Sequence, residues 1–513
     1  MIVPDRKILS DLVRLNRDHW SSSGIPSWVQ ELRTQARQQL GSVARKYVYS
    51  YLAGKMLPSL DLSEGRPWIV GGHQPELFHA GVWFKNILID QIAKETQGVG
   101  LHAIIDHDLA RATTLRVPAR NSARGLTHTS MIPLPLKRSA STDELLPWNA
   151  WCIDPEKIPS TNEDIEQSLR SVGIARSMAS GYFEELRGFP KETNAAIALS
   201  QVRHRMERRN GIGNWEFPMS DMCRSQVWWR FVEHCISNAF ELNQTYNECL
   251  DEYRSREGIH NPTQPVPRLG RQGDWIELPF WIRLPGQVAR RRMWIAKGTS
   301  TYRISSDPNS HAPTTEWSER LQDDDWLVWP RALTTTLFLR VFIADLFVHG
   351  IGGGQYDRLT DAIIERFLHL DPPKFVTCTA TLWLPFPGNS TNDEQQLHEQ
   401  ALVLERDRQR LRSAPETALV LKDPFQKSLA EKHQRLLAQI PPRGQRKNWH
   451  HEMVELKAKI VASIDQPRRE WEDRRAGLEA EILENKVLKS REFSYVLFEE
   501  RDIFERLLKL ANC

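Results

Sequence analysis

The chain has 513 residues, too many for one ordinary hydrophobic core, so we expect it to divide into several structural units. Hydrophobic residues make up 40% of the chain and charged residues 26%, a composition that excludes a disordered protein and is typical of a globular one. The formal net charge of +3 is close to neutral for this length, so we expect neither nucleic acid nor a membrane as a partner.

The amino terminus and the cysteines indicate the compartment. Charges are scattered through the first fifteen residues, where a secretory signal would need an uninterrupted apolar segment. The longest apolar run, Leu337 to Val348, contains Arg340 and Asp345 and is too short to cross a bilayer. The six cysteines form no CxxC pair, which argues against a disulfide scaffold and a thiolate zinc site. We therefore expect a cytoplasmic protein with free, mostly buried thiols.

The first 120 residues predict helices followed by a parallel β-α-β unit. Apolar residues recur three and four positions apart over residues 1–57, a pattern of two amphipathic helices that pack on a core. Residues 58–120 form the first part of that core. In it, a strand from Trp68 to Val70 ends at Gly71 and Gly72, a helix runs from Gly81 to Thr96, and a second strand runs from Leu101 to Ile105. Two strands separated by a helix of this length predict a parallel pair.

The middle of the chain predicts an insertion and then a return to the core. Residues 121–270 are rich in Pro, Ser and Asp between helical stretches, and we interpret them as an insertion or connecting region. Residues 271–388 form the second part of the core. There, Trp275 to Ile282 and Arg292 to Ile304 predict a hairpin around Leu284-Pro285-Gly286, and Phe375 to Leu384 is a further strand.

Beyond Gly388 the composition shifts to Glu, Gln, Arg, Lys and Leu. Apolar residues recur at spacings of seven or four, at Leu397, Leu404, Leu411, Met453, Ile460, Ile464, Trp471, Leu478 and Ile482. This periodicity predicts an antiparallel coiled coil over residues 389–490, with Pro441-Pro442-Arg443-Gly444 at its tip, and a homodimer formed through it. Residues 491–513 are predicted to be a helix that returns to the core.

The segment Gly71 to Gly81 carries the clearest chemical signal. It leaves the carboxyl end of a buried strand and enters a helix, whose first turn presents unpaired N–H groups and a partial positive charge that stabilise an anion. Gly71 and Gly72 would let the backbone approach that anion closely, and His73 and His79 would add donors or a transferable proton.

The second strand ends in Asp106-His107-Asp108, which we expect to open onto the same crevice because both loops follow parallel strands. His73, His79, His102 and His107 lie within 35 residues, an enrichment that favours anion or nucleotide binding. Two alternatives stay open: the histidines cap turns, or with the aspartates they bind a metal. No HxxxH or HExxH spacing supports the metal, and we predict no metal ligands.

Two further clusters give weaker evidence of a binding site. The run from Gly350 to Gly354, followed by Gln355 and Tyr356, is a second glycine-rich start of a helix; it is either a tight turn or another edge of the anion pocket. The basic cluster Arg290-Arg291-Arg292 with Lys297-Gly298-Thr299-Ser300 would suit phosphates, but we interpret it as a solvated hairpin edge.

The chain resembles the family of bacillithiol biosynthesis cysteine-adding enzymes, which are cysteine ligases, at the motifs described above. The resemblance is carried in order along nearly the whole chain. Its motifs are Gly72-His73-Gln74 with Leu77-Phe78 and Lys85, then Asp106-His107-Asp108, then Arg331 and Gly352-Gly353 before Tyr356. The chain departs from the family pattern at His73, at His79-Ala80, at Ile105 and at Gly354-Gln355.

The resemblance implies an α/β fold with a Rossmann-like parallel sheet core, helical insertions and a C-terminal α-helical coiled coil that makes a dimer. It also implies attachment of cysteine to the amine of a glucosaminyl malate acceptor, and the departures leave the acceptor open. The residues expected to bind substrate or nucleotide are Gly71, Gly72, Gln74, Gly81, Lys85, Arg331, Gly352, Gly353, Gly354, Gln355 and Tyr356.

The mechanism that we expect is activation of a carboxylate by ATP or another nucleotide, with only the Mg²⁺ that accompanies it, followed by capture by an amine. As a hypothesis, His73, His79 and the helix start stabilise charge on a departing phosphate. Asp106 or Asp108 holds the incoming ammonium, and His107 is the base. The alternatives are a non-catalytic nucleotide- or metabolite-binding scaffold whose coiled coil recruits a partner, and a metal-dependent hydrolase.

Overall fold

The computed structural model describes residues 1–58, 62, 65–120, 126–140, 144–298, 301–309, 314–318, 326–387, 394–413, 423–463 and 465–513. At positions 394, 411–413, 465–468 and 470 it describes the backbone alone. The expectations for Thr299, Ser300 and Ile464, and for the side chain of Leu411, lie outside the described part.

The central sheet has six strands in the order β1-β16-β15-β2-β3-β8. The strands are β1 (Ile2–Val3), β2 (Trp68–His73), β3 (Val99–Ile104), β8 (Trp215–Pro218), β15 (Leu346–His349) and β16 (Phe375–Cys378). All neighbours pair in parallel except β1, which is antiparallel to β16. The predicted β-α-β unit is confirmed, because Trp68 pairs with Val99 and His73 with Ile104 across a parallel ladder.

Helices cover both faces of the central sheet. They are α1 (Leu9–Trp20), α2 (Ser27–Tyr49), α3 (Ala80–Glu95), α4 (Ile158–Ser171), α5 (Ala179–Arg187), α6 (Ala195–Arg209), α7 (Met219–Met222), α8 (Gln226–Ser237), α9 (Ala239–Glu257), α10 (Ala332–Phe338), α11 (Ile351–Phe367), α12 (Glu394–Ser413), α13 (Pro424–Ala438), α14 (Lys447–Ser463), α15 (Asp465–Leu488) and α16 (Glu500–Ala511). A π-helical turn spans Leu339–Ile343, and short 3-10 helices span Arg6–Ile8, Gly54–Met56, Trp148–Ala150, Pro155–Lys157 and Tyr495–Leu497.

The central sheet is buried on both faces. Successive strand residues point to opposite sides, so Val70 packs into a core with α2 and α11, while Ile69 packs into a second core with α1, α3 and α16. The fold is therefore a mixed α/β structure of helix, sheet and helix layers. The two N-terminal helices are confirmed, and the returning C-terminal helix is shorter than the predicted 491–513, since it spans Glu500–Ala511.

A second, antiparallel sheet corrects the assignment of residues 271–388 to the core alone. It has the strand order β13-β12-β11-β10-β14, with β9 also paired to β10. Its strands are β9 (Arg271–Gln272), β10 (Trp275–Arg283), β11 (Arg291–Lys297), β12 (Tyr302–Ser305), β13 (Thr315–Glu316) and β14 (Leu327–Pro330). The predicted hairpin is confirmed as β10 and β11, but its second arm is divided between β11 and β12.

Residues 121–270 also need a correction, because they are more than an insertion. They contain β8, whose Phe217 pairs with Ala103 at the edge of the central sheet. A four-residue strand carries too little periodicity to be recognised among helical segments. Two small antiparallel pairs complete the strands: β4 (Thr114–Arg120) with β5 (Thr127–Pro133), and β6 (Leu136–Arg138) with β7 (Trp151–Ile153).

The charged C-terminal helices pair within the chain. Helix α12 packs along α15, and α13 packs along α14. Leu429, Leu456 and Ile460 form the buried seam of the second pair. The predicted tip, Pro441 to Gly444, lies between α13 and α14, and α15 begins at Asp465.

All six cysteines are described; none is paired, and Cys223, Cys235, Cys249 and Cys378 are buried, which confirms free and mostly buried thiols. Within the described ranges, no helix combines the length and the apolar character needed to span a bilayer.

One buried carboxylate joins α2 to the start of β2 and β15. Asp345, 4% exposed, accepts hydrogen bonds from Arg33 at 2.6 Å, from Arg37 at 2.9 Å and from the Trp68 N–H at 2.7 Å. Burial would raise the pKa of Asp345, but Arg33, Arg37 and the Trp68 N–H outweigh burial and hold that pKa below its ordinary value.

We expect Asp345→Asn to lower the free energy of unfolding by about 3–5 kcal/mol, because it leaves Arg33 buried without a counter-charge. Asp11→Asn, at an exposed ion pair with Arg14, is the control and should cost less than about 1 kcal/mol in the same urea titration. Because the folded pKa of Asp345 is depressed, its contribution is present above the unfolded pKa of about 3.9 and is lost as the pH falls further. Equal losses in the two variants would contradict this account.

Candidate functional site

The connections of the central sheet diverge between two neighbouring strands. From β2 the chain passes through α3 to β3 on one side, and from β15 it passes through α11 to β16 on the other. The loops after β2 and β15 therefore lead away from each other and leave a crevice at the carboxyl edge, where open parallel sheets bind ligands. Both glycine-rich segments singled out in the sequence border this crevice.

Gly71 and Gly72 lie in strand β2 and not in a loop, which corrects their predicted role. A Cβ added to Gly72 would lie 2.7 Å from the Ala103 carbonyl oxygen, and one added to Gly71 would lie 2.7 Å from Cδ1 of Ile89. These glycines are needed for close packing of β2 against β3 and α3. A glycine required by packing and one required by an anion look alike in a sequence.

At the start of α3, the backbone N–H of Gly81 has a hydrogen-bond acceptor within the chain. Nδ1 of His79 accepts a hydrogen bond from the Gly81 N–H at 3.0 Å, so His79 is the N-cap of this helix. An added Cβ at Gly81 would collide with the Ala380 carbonyl oxygen. His79 therefore caps a helix, which was one of the two alternatives, and the phosphate-binding role of His79 and Gly81 stays a prediction.

Lys85 is also held inside the protein. Its Nζ donates to the Gly72 carbonyl oxygen at 2.6 Å, and the residue is 4% exposed. Burial lowers the pKa of Lys85 to about 8. It ties α3 to β2.

His73 stays half-buried at the end of β2. Its Nδ1 lies 3.1 Å from the Gln74 carbonyl oxygen, and its ring contacts Phe78 edge-on at 5.0 Å. Burial, reinforced by the charge of Lys85, lowers the pKa of His73 to about 3. The imidazole is therefore neutral near pH 7 and offers a neutral donor or acceptor, not a positive charge for a phosphate.

Asp106 and His107 are both 2% exposed, so neither reaches a substrate in this structure. Asp106 accepts hydrogen bonds from the Ser220 N–H at 3.0 Å and from the Ser220 hydroxyl. Nε2 of His107 lies 3.1 Å from the Pro330 carbonyl oxygen. These two side chains join β3 to β8 and to β14, and their roles as ammonium ligand and base stay predictions.

Asp108 is the member of the motif that remains accessible, with 37% of its side chain exposed. It accepts hydrogen bonds from Gln74 Nε2, from the Leu109 N–H and from Arg290 Nη2, each at 2.8 Å. Burial would raise the pKa of Asp108, but Arg290 and these hydrogen bonds outweigh it and lower the pKa. The predicted proximity of the loops after β2 and β3 is thus realised by Gln74 and Asp108.

Arg290 corrects the interpretation of the basic cluster as a solvated edge. Its side chain is 8% exposed, and it also donates to the His107 carbonyl oxygen at 3.0 Å. In the sequence nothing distinguishes Arg290 from its two neighbours, because the partner lies 182 residues away. Sequence reasoning missed this residue for that reason.

Trp281 connects this contact to another predicted residue. The guanidinium carbons of Arg290 and Arg331 each lie 4.4 Å from the Trp281 ring centroid, a cation-π arrangement. Arg331 is itself fixed by Glu277 at 2.6 Å. The structure therefore brings Gln74, Asp108 and Arg331 into one constellation that Arg290 and Trp281 complete.

A cleft of about 600 Å³ opens beside this constellation. It is lined by Trp281, Arg290, Arg291, Arg292, Trp294, Ser306, Asp307, Pro308 and Asn309. The side chains of Arg291 and Arg292 are 43% and 53% exposed, and the Glu144 contacts of Arg291 use only one guanidinium nitrogen. Guanidinium groups beside half-buried indoles suit a ligand that carries both an anion and a flat ring.

The second glycine segment lies in the first turn of α11, and not in a loop before a helix that starts at Asp357. A Cβ at Gly354 would collide with Thr377, and one at Gly353 would lie 2.8 Å from Nδ1 of His349, while Gly352 has open space beside it. The Gln355 carbonyl oxygen accepts from the Tyr253 hydroxyl, and Tyr356 packs against the larger core. This segment flanks the crevice but is not brought into contact with Asp108.

No protein-family model matches the chain, and a search of curated proteins finds no match. Within the described residues, no group of three or more His, Cys, Asp or Glu side chains is arranged to hold a metal ion.

We expect the His73 ring, assigned by comparison with His73→Gln, to show no titration between pH 5 and pH 8 in NMR spectra of the folded protein. In urea the same ring should titrate near 6.5. Since the unfolded ring takes up a proton below about pH 6.5 and the folded ring does not, His73 lowers stability as the pH falls from there toward 3. A folded-state midpoint near 6.5 would contradict the burial argument.

We expect a double-mutant cycle of Asp108→Asn and Arg290→Gln to give a coupling of about 1–2 kcal/mol in the free energy of unfolding. Arg291 and Glu144, 2.7 Å apart and both more than 40% exposed, form the matched control pair, whose coupling should be below about 1 kcal/mol. The Asp108 pKa should also rise in the Arg290→Gln variant. Equal couplings for the two pairs would show that Arg290 contributes no more than a surface contact.

Proposed function

We propose that the chain is a ligase-like enzyme that activates a carboxylate with a nucleotide and joins it to an amine, similar to the bacillithiol-pathway cysteine-adding enzymes. The observation that carries the proposal is the cleft lined by Trp281, Trp294 and Arg290 to Arg292, which adjoins Asp108 at the carboxyl edge of the central sheet. The arginines of the cleft would bind an anion and Asp108 would bind a cation beside it. Both sites are needed to join a phosphorylated carboxylate to an amine.

The cleft fits a nucleoside triphosphate, which we propose to be ATP accompanied by Mg²⁺. Its volume of about 600 Å³ lies in the range of small-molecule sites. Arg291 and Arg292 would bind the phosphates, because a guanidinium matches phosphate oxygens in a bidentate manner. The half-buried Trp281 and Trp294 rings would stack on the base. The bound nucleotide would supply the phosphate that converts a poor leaving group into a good one.

Asp108 would hold the incoming ammonium. Its lowered pKa keeps it ionised at neutral pH, and part of its carboxylate is exposed. Gln74 and Arg290 fix its orientation, so they act as positioning residues. His73, neutral and at the rim of the same crevice, would contribute a hydrogen bond to the bound substrate without taking up a proton.

The finer features of the fold belong to the same proposal. We propose that the central sheet is Rossmann-like, supported by the divergence of its connections between β2 and β15. We propose that the C-terminal helices form a coiled coil that dimerises through the apolar residues they leave exposed, which are Leu402, Val403, Phe425, Leu437, Ile440, Val454 and Leu483. The free thiols support a cytoplasmic location.

The direct test is incubation of the protein with ATP, cysteine and candidate amines, glucosaminyl malate among them, followed by mass spectrometry. The proposal expects an amide adduct of cysteine formed together with ADP or AMP. Cleavage of ATP without a cysteine adduct would point to a ligase for a different acid. Absence of any chemistry, with ATP still bound, would favour the non-catalytic scaffold.

We expect the double variant Arg291→Gln/Arg292→Gln to bind ATP at least about tenfold more weakly, because each charge-assisted hydrogen bond contributes about 1.5–3 kcal/mol. Isothermal titration calorimetry measures this. The control, Arg187→Gln/Arg435→Gln, removes the same charge at positions that are 57% and 76% exposed and lie away from the cleft. An affinity for ATP equal in both variants would remove the cleft from the proposal.

A further inference from the structure

Glu76 is a second carboxylate at the carboxyl edge of the central sheet, and it has no part in the steps proposed above. It belongs to the loop that follows β2 and is half-buried. Its N–H donates to the Gln74 carbonyl oxygen at 2.9 Å, and the Gln74 side chain donates to Asp108 at 2.8 Å. Gln74 therefore ties the backbone of Glu76 to the carboxylate of Asp108.

Trp148 connects the same two acidic residues a second time. Its N–H donates to the Asp108 carbonyl oxygen at 2.9 Å, and its buried indole contacts Glu76. The charges of Asp108 and of the exposed Arg111 both act on Glu76. The carboxylates of Glu76 and Asp108 are thus neighbours, held by one side chain of the β2 loop and by one buried tryptophan.

The surroundings of the two carboxyl groups move their pKa values in opposite directions. Burial would raise the pKa of Asp108, but Arg290 at 2.8 Å outweighs burial and lowers it. Burial raises the pKa of Glu76, and the charge of Asp108 adds to the rise. The Trp148 indole and Arg111 lower the pKa of Glu76 without cancelling that rise. Asp108 is therefore the carboxylate that keeps its charge, and Glu76 is the stronger base, a division that acid-base sites use.

We propose that Glu76 is a catalytic residue, the base that takes a proton from the ammonium held by Asp108. This inference rests on the proposed ligase function, because a protonated amine has no free electron pair and cannot attack a carbonyl carbon. His107, the base predicted from the sequence, is 2% exposed, and its Nε2 lies 3.1 Å from the Pro330 carbonyl oxygen. Glu76 is half-buried beside Asp108, so it is the better placed of the two.

The step moves two protons and exchanges one bond for another. The ammonium gives its first proton to the Glu76 carboxylate. The electron pair that this frees on nitrogen forms the C–N bond, while the C–O bond to the phosphate breaks and its electron pair leaves with the phosphate. The second proton goes from nitrogen to the departing phosphate, and the third hydrogen stays on the amide. Glu76 then releases its proton to water and is ready for the next cycle.

Methylamine and hydroxylamine are the probes, each supplied to the full chain with ATP and cysteine at neutral pH. They are similar in size, but methylamine is an ammonium ion at neutral pH and hydroxylamine is not. Hydroxylamine therefore captures an activated carboxylate without a base, and mass spectrometry measures the methylamide and the hydroxamate separately. We expect Glu76→Gln to form the methylamide at least about a hundredfold more slowly than the wild type, since a general base contributes about 10²–10⁴-fold, and to form the hydroxamate at the wild-type rate.

Two further variants complete the comparison. Glu505→Gln removes a carboxylate that is 64% exposed in α16 and should leave both rates unchanged. Glu76→Asp keeps a carboxylate on a shorter side chain and should recover part of the methylamide rate.

The outcomes separate the inference from the function on which it rests. A wild type that forms no hydroxamate would contradict the proposed activation of a carboxylate, and the role of Glu76 would fall with it. The inference alone is overturned if the wild type forms the hydroxamate but no methylamide, or if Glu76→Gln forms the methylamide at the wild-type rate. It is also overturned if Glu76→Gln loses both products equally, because a residue needed only for folding would slow both.

Discussion

The contact between Asp108 and Arg290 holds the candidate site together. It joins the carboxyl edge of the parallel sheet to the antiparallel sheet, across a separation of 182 residues. Together with the contact of His107 to the Pro330 carbonyl oxygen, it fixes the cleft between Trp281 and Trp294 relative to Gln74 and Asp108. The carboxylate also needs this cation, since a partly buried aspartate without a counter-charge would tend to take up a proton. One interaction thus sets both the geometry of the site and the charge state of its central residue.

The parts of the fold that follow from local periodicity could be predicted. The helices of residues 1–57, the β2-α3-β3 unit, the hairpin of β10 and β11 and the returning helix α16 each carry their apolar pattern within a short stretch of chain. The edge strand β8 could not be recognised from the sequence. Its four residues lie between helices, and its partner β3 lies more than a hundred residues earlier in the chain.

The candidate site was predictable in its position but not in its chemistry. The rule that ligands bind at the carboxyl edge of a parallel sheet predicts a site between the loops after β2 and β3, and the structure brings Gln74 and Asp108 of these loops together. The roles of Gly72, His79 and Lys85 depend on what packs against them, namely Ala103, the Gly81 N–H and the Gly72 carbonyl oxygen. The role of Arg290 depends on its contact with Asp108, which exists only in the folded chain. Such information is tertiary, and no spacing of residues along the chain contains it.

The two ends of the central sheet use similar residues differently. At the carboxyl edge, carboxylates partner the arginines and the indoles of Trp281 and Trp294 keep part of their surface exposed. At the amino edge, Asp345 contacts Arg33 and Arg37, and the indoles of Trp20 and Trp68 are buried. The decisive measurement for the ligase account is a crystal structure with a non-hydrolysable ATP analogue. The account predicts phosphates on Arg291 and Arg292 with the base against Trp281 or Trp294, and an analogue bound elsewhere, or absent from this cleft at saturating concentration, would contradict it.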